Sequence, residues 1–294
     1  MREIQGHGVA MITPFKADGS IDFDAIPIIV NHLINGGVDF LVVLGTTAET
    51  ATLTKLEKIA LVEKIVEVNS DRLPLVLGLG GNNTQELLDM FDWFNLSSFT
   101  ALLSVTPYYN KPNQEGLYQH FKTIANNSNL PVILYNVPSR TGVNIAPETV
   151  LRLAEDFDNI VALKEASGDF QQAQTLMKLC PHNFSILSGD DEMSLPMILA
   201  GAKGVISVIG NAIPEQYSRI IKEGLSRNVD KAYLIQYQLL DLIRMIYFEG
   251  NPTGIKVLME TLGLCENNLR LPLIPSTKEL TLELKEELKK VMPI

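Results

Sequence analysis

Along the chain, short apolar runs alternate with longer segments in which apolar and polar residues are mixed. The short runs are residues 8–15, 40–44, 75–79, 101–105, 132–135, 160–166, 185–187 and 205–209. Each is mostly apolar at successive positions, so both faces are apolar, as in strands of a parallel sheet buried on two sides. The segments between them carry helix signals. Thr54-Lys55-Leu56-Glu57 reads as a capping box opening a helix to about residue 69. Asn83 or Thr84 opens the next, to about residue 96, and Asn113 opens one to about residue 128. Pro147 stands where a first-turn proline belongs, and residues 169–179, 192–200 and 214–225 complete the series. Eight strands, each followed by a helix, predict an α/β fold of the closed (β/α)8 type. Alternation alone does not reveal strand order, so an open doubly wound sheet is the alternative.

After about residue 226 the strand pattern stops. Residues 231–248 predict one long amphipathic helix, residues 249–254 break it, and residues 255–262 predict a shorter one. Ser276-Thr277-Lys278-Glu279 reads as a further capping box, opening a last helix to about residue 291. The expected division is a catalytic barrel over residues 1–225 and a three-helix C-terminal domain over residues 226–294, with no low-complexity linker between them.

Composition narrows the classes. A chain of 294 residues suits either two ordinary domains or one barrel of about 250 residues with an appendage. With 46% hydrophobic residues it can bury a large core, which excludes a disordered chain. Its 34 acidic residues outnumber 24 basic ones, and the net charge of −10 argues against nucleic acid or an anionic membrane as partner. A small acidic substrate stays open, because one local Arg or Lys can hold a carboxylate. Cys180 and Cys265 form no disulfide framework and no metal-ligand spacing, and His7, His32, His120 and His182 are scattered, so no metal site is expected. The first seven residues lack a basic stretch followed by an apolar one, so no signal peptide is expected. No apolar run approaches the ~20 residues of a membrane span, and the expected location is the cytoplasm.

In a barrel of this kind, functional residues sit at the C-terminal strand ends and in the loops that follow. Those places hold Gly45-Thr46-Thr47-Ala48-Glu49-Thr50, Thr106-Pro107-Tyr108-Tyr109-Asn110, Tyr135-Asn136-Val137-Pro138-Ser139-Arg140-Thr141-Gly142, Lys164, Ser188-Gly189-Asp190-Asp191 and Ser207. Lys164 is the most informative. Alternation puts Ile160, Ala162, Lys164 and Ala166 on one side of a strand. An apolar surround penalises an ammonium relative to the neutral amine, and the neutral amine is the nucleophile that forms a Schiff base with a ketone. The competing reading is a lysine that reaches water or pairs with Glu165. Such chemistry needs groups that move protons. No histidine lies at this rim, so Tyr135 and Tyr109, relayed by the Thr46 hydroxyl, are the available donors and acceptors. Arg140, in a Pro-Ser-Arg-Thr-Gly loop, can bind a carboxylate bidentately. Gly78-Leu79-Gly80-Gly81 matches a phosphate-binding fingerprint only in part and reads as a turn that needs small residues. Asp190, Asp191 and Glu192 read as structural acids in the first turn of a helix.

Taken in order, these segments resemble the dihydrodipicolinate synthase family, within the pyruvate-dependent Schiff-base aldolases, over nearly the whole chain from residue 8 through the helical tail. The resemblance implies a TIM barrel with C-terminal helices and the condensation of pyruvate with L-aspartate 4-semialdehyde in lysine and diaminopimelate biosynthesis. It implies that Lys164, in the Lys-Glu-Ala segment, condenses with pyruvate. Tyr135 would be the general acid/base, with Thr46 and Tyr109 completing a proton relay in which Tyr109 reaches across a dimer interface. Thr47 and Ile206 would contact pyruvate, Gly189 would line the same pocket, and Arg140 would hold the carboxylate of the semialdehyde. The Schiff base acts as electron sink, so no cofactor is expected, and the implied assembly is a homotetramer built as a dimer of dimers. Tyr108, Asn82 and Glu86 resemble positions that bind lysine as a feedback inhibitor in regulated members. Ala48 replaces the family's usual glycine and Thr50 its commoner serine. Lys55 and Lys58 stand where some regulated members carry histidine, and their charges would repel a cationic effector. Sibling aldolases, N-acetylneuraminate lyase and the 2-keto-3-deoxy sugar acid aldolases, share Lys164, Tyr135 and the threonine loop. Their polyhydroxylated substrates call for hydroxyl partners, so the Ser139-Arg140-Thr141-Gly142 segment favours the synthase.

Overall fold

The apolar runs form strands because every one of them is covered on both faces, and they close on themselves. A computed structural model describes residues 4–292. The strands are β1 (Gly6–Ala10), β2 (Phe40–Val43), β3 (Leu75–Gly78), β4 (Ala101–Val105), β5 (Val132–Asn136), β6 (Ile160–Glu165), β7 (Ser185–Ser188) and β8 (Gly204–Ser207). Each pairs in parallel with the next, and β8 pairs with β1 through Gly8 opposite Ile206, which removes both sheet edges and excludes the open doubly wound sheet. Alternate residues separate into two cores. Val42, Val76, Leu103, Ile133 and Ile206 fill the barrel interior, while Leu41, Leu77, Leu102 and Leu134 face the surrounding helices.

Those helices are α1 (Ala25–Asn35), α2 (Lys55–Asn69), α3 (Thr84–Asp89), α4 (Gln114–Asn127), α5 (Pro138–Thr141), α6 (Pro147–Asp156), α7 (Phe170–Leu179), α8 (Ser194–Ala200) and α9 (Pro214–Leu225). The expected caps are in place. Thr54 and Glu57 exchange both hydrogen bonds of a capping box, Asn83 accepts from the Gln85 and Glu86 amides, and Asn113 accepts from Gly116. Pro147 opens α6, where a missing N–H loses nothing. Three further helices follow the barrel: α10 (Val229–Met245), α11 (Thr253–Thr261) and α12 (Lys278–Val291).

Several local expectations are corrected. The first strand ends at Ala10 rather than reaching Phe15, because the chain turns into the barrel mouth, where the Thr13 hydroxyl donates to the Ala48 carbonyl at 2.7 Å. The helix expected to reach residue 96 stops at Asp89, and a tighter turn over Met90–Trp93 brings Met90, Trp93 and Phe94 to a cavity wall. Ile160 belongs to the outer core, not to the Lys164 side, because a register shift opposite Val132 and Ile133 breaks the alternation ahead of Ala162. Asp190, Asp191 and Glu192 precede α8 instead of starting it. Asp191 is buried and accepts from the Val208 and Ile209 amides and the Tyr247 hydroxyl, Asp190 caps the following turn, and Glu192 pairs with Arg244. The box at Ser276 does not form. Thr277 is the N-cap of α12, and Glu249, from the turn that follows α10, accepts from the Thr277 amide in place of an acid at the third residue of the helix. No helix among the described residues is long and apolar enough to cross a membrane. The signal-peptide reading of the first residues falls partly on positions 1–3, outside those described.

Candidate active site

Two neighbouring strands set the geometry. Tyr135 on β5 lies directly opposite Lys164 on β6, with Val105 of β4 opposite Tyr135 on its other side. Tyr135 and Lys164 are both buried, and the Lys164 Nζ lies 4.3 Å from the centroid of the Tyr135 ring. Glu165 does not pair with Lys164. Consecutive residues of a strand face opposite ways, and the Glu165 carboxylate points outward, where it accepts from the Asn136 and Gln172 side chains at 3.0 Å and from the Ser167 amide at 2.6 Å. That network leaves Lys164 without a carboxylate partner among the described residues. Gly189, just past β7, is needed for the lysine stem. A Cβ there would stand 2.6 Å from the Ala166 Cβ and 2.9 Å from the Lys164 Cε. Ile206 of β8 is fully buried in the barrel interior.

The loop after β2 folds into two short 3-10 turns, Thr46–Ala48 and Thr50–Thr52, joined at Glu49. Thr46 and Thr50 open onto a cavity of about 500 Å3, and Thr47 is buried behind them, its hydroxyl accepting from the Asn251 amide at 3.0 Å. Tyr135 and Arg140 line the same cavity, and the Arg140 guanidinium donates to the Asn251 carbonyl at 3.3 Å. Gly78 and Gly80 belong to its wall as close-approach residues, since a Cβ on Gly78 would meet the Leu44 carbonyl oxygen at 2.4 Å and one on Gly80 the Val105 side chain at 2.5 Å. The cavity continues outward past Asn82, Glu86, Lys58 and Tyr108. Burial lowers the Lys58 pKa, and nearby Glu86 opposes that shift. Lys55 stands apart, its ammonium 4.6 Å from the centre of the Trp93 ring.

Not every expected residue is on the cavity wall: Lys164, Thr47, Gly189 and Ile206 are buried or packed beside it, and Lys55 and Tyr109 lie outside it. Tyr109 is 88% exposed, with a left-handed φ of 71°, and is not part of the cavity wall within its own chain. From the sequence, Asn251 signals only a helix break, and its contacts with Thr47 and Arg140 emerge from the fold. The fold also joins Lys256 to Glu49 in a buried pair. A lysine inside the apolar stretch Ile255-Lys256-Val257-Leu258-Met259 is the same signal that singles out Lys164. Both free cysteines lie away from this cavity, with burial pushing each thiol up to about 11.

The chain is also similar to known proteins over nearly its whole length. The sequence model of the Dihydrodipicolinate synthetase family matches residues 3–291. A 4-hydroxy-tetrahydrodipicolinate synthase of Flavobacterium psychrophilum is 53% identical over 281 residues, covering 96% of each chain. One from Azobacteroides pseudotrichonymphae is 50% identical, covering 94% of each. The crystal structure of dihydrodipicolinate synthase from Aquifex aeolicus superimposes with a TM-score of 0.94 at 40% identity, covering 98% of both chains. Such likeness from end to end, in sequence and in fold, places the chain in the dihydrodipicolinate synthetase family.

Proposed function

We propose that the protein is a 4-hydroxy-tetrahydrodipicolinate synthase, a lyase-type aldolase that joins pyruvate to L-aspartate 4-semialdehyde, with Lys164 as its nucleophile. The Lys164 amine adds to the pyruvate ketone, and loss of water leaves an imine. Loss of a methyl proton gives the enamine, whose carbon attacks the aldehyde of the second substrate. The amino group of that substrate then displaces Lys164 by transimination, closing the ring and freeing the lysine. The observation that carries this reading is the Lys164 amine itself, buried, held by Gly189 on its stem, 4.3 Å from the Tyr135 ring and unpaired with Glu165.

In this reading Tyr135 moves protons during imine formation and ring closure, passing them through Thr46 to Tyr109 of a second copy of the chain. The exposure of Tyr109 suits that division of labour. A dimer is then the working minimum, and we propose a homotetramer, a dimer of dimers, acting in the cytoplasm on the route to lysine and diaminopimelate. Thr47 and Ile206 contact pyruvate beside Gly189, and Arg140 holds the semialdehyde carboxylate in a charge-assisted pair. The barrel over residues 1–225 carries this chemistry and the helices over residues 226–294 brace it. The outer part of the cavity, with Thr50, Lys58, Asn82, Glu86 and Tyr108, is the proposed regulatory region, with Lys55 beside it on Trp93. The ammonium groups of Lys55 and Lys58 repel a cationic effector, so lysine inhibits weakly.

The test compares second substrates. Aspartate 4-semialdehyde should be consumed at least about 100-fold faster than sugar-derived aldehydes, and Arg140→Ala should lower kcat/KM for it by about 10- to 100-fold, the loss of a charge-assisted pair. Added L-lysine in the same assay should leave the rate nearly unchanged. Equal or reversed preference would assign the chain to a sugar-acid aldolase activity instead.

A further inference from the structure

The chain buries a second lysine, and its partner lies in the loop that carries Thr46. Lys256, near the start of α11, and Glu49 both have fully buried side chains. The Lys256 Nζ lies 2.6 Å from the Glu49 Oε1 and donates to the Asn268 carbonyl at 2.7 Å. The other Glu49 oxygen accepts the Arg270 backbone N–H at 3.1 Å. The Phe15 ring lies against both cations, its centroid 4.4 Å from Lys256 Nζ and 4.6 Å from Arg270 Cζ. Arg270 is in turn fastened to Glu57 of α2 and to the Thr52 carbonyl.

Taking two charges out of water is costly even when they pair, and apolar residues of similar volume often serve stability as well or better. What an ion pair adds is one fixed geometry. Glu49 is the joint between the two 3-10 turns, with a φ of 53° in the left-handed region that residues with side chains seldom adopt. Its N–H donates to the Thr46 carbonyl at 3.2 Å, and its own carbonyl accepts from the Thr52 amide at 3.0 Å. Rotation at Glu49 would therefore swing the Thr46–Ala48 turn, and the buried side-chain anchor opposes it at the joint, while the Thr13 hydroxyl holds the Ala48 carbonyl. Asn251, on the same C-terminal segment, holds Thr47 directly.

Building on the reading in which Thr46 relays a proton and Thr47 contacts pyruvate, we propose that the Glu49–Lys256 ion pair lets the C-terminal helices hold that turn in its working geometry. Neither residue is a catalytic residue. Both are positioning residues that act through Thr46 and Thr47.

The test uses the full-length chain with both charges removed together, Glu49→Gln with Lys256→Met, so that no unpaired charge stays buried. Active sites are counted by borohydride trapping of pyruvate at saturation, and kinetics are expressed per trapped site. The expected result is a trapped fraction near that of the wild type, kcat lowered about 10- to 100-fold and the pyruvate KM raised several-fold, with the semialdehyde KM unchanged. A structural role alone would not split the two KM values. Glu49→Asp, which keeps both charges but shortens the anchor by one methylene, should show the same split more mildly and serves if the double variant does not fold. The proposal is overturned if kinetics per trapped site stay within about twofold of wild type, or if activity falls only in step with the trapped fraction. Wild-type trapping with unaltered variants overturns this proposal alone, whereas no trapping in the wild type overturns the functional reading beneath it.

Discussion

At the scale of the residue, the site depends on what is missing beside Lys164 as much as on what is present. Glu165 would neutralise the amine's usefulness by pairing with it, and the outward network of Asn136, Gln172 and Ser167 keeps that carboxylate occupied elsewhere. Gly189 leaves space for the lysine stem. A methyl group there would meet the Ala166 Cβ, which moves only with its own backbone, as well as the flexible Lys164 stem. Gly189→Ala should therefore lower the melting temperature and, per folded chain, lose about 100-fold in kcat, as expected for a nucleophile displaced by about 1 Å. Wild-type turnover in that variant, measured by steady-state kinetics, would show that the lysine has room to spare.

At the scale of the element, the sequence carried the strand and helix order well and the irregular turns poorly. Apolar runs and side-chain caps such as Thr54, Asn83 and Asn113 are local signals, written within a few residues of where they act. The register shift ahead of Ala162 leaves no local mark, since Ile160 and Ala162 are apolar whichever face they take. The cap of α12 is hidden from the sequence for a related reason. Its acid, Glu249, comes from 28 residues upstream, so the nearby Glu279 is a false local signal. The candidate site shows the same divide. Lys164, Tyr135 and Arg140 stand out on single strands or loops, while Glu49 and Lys256 are 207 residues apart and gain meaning only when the fold joins them.

At the scale of the whole molecule, the barrel's closure buries histidines that an unfolded chain would leave in water. His7, whose Nδ1 lies 2.8 Å from the Ser218 hydroxyl, is driven down to about 3 by burial, with Lys222 adding to the effect. Burial brings His120 to about 4. An unfolded imidazole takes its proton near pH 6.5 and these folded ones do not, so their stabilising effect is complete above 6.5. It is lost as pH falls from there toward 4 and 3, at about 1.4 kcal/mol per pH unit for each. Glu57, held at about 2 chiefly by its hydrogen bond from Arg270, adds a loss of the same sign between about 4.5 and 2. Urea denaturation should thus show stability falling by about 2–3 kcal/mol per pH unit between pH 6 and 4.5. A flat profile over that range would mean that the two imidazoles are charged in the fold. The net charge of −10 has its meaning here too, since both proposed substrates are carboxylates that the overall field opposes. Binding then falls to local donors, Arg140 and the Thr46–Thr47 turn, braced by helices from the far end of the chain. All of this architecture converges on one amine, and the most direct test addresses it. The chain is incubated with pyruvate, reduced with borohydride and digested, and the peptides are weighed. The expected result is a single adduct on Lys164, heavier by one pyruvic acid less an oxygen atom. An unmodified Lys164, or an adduct on another lysine such as Lys256, would contradict the account.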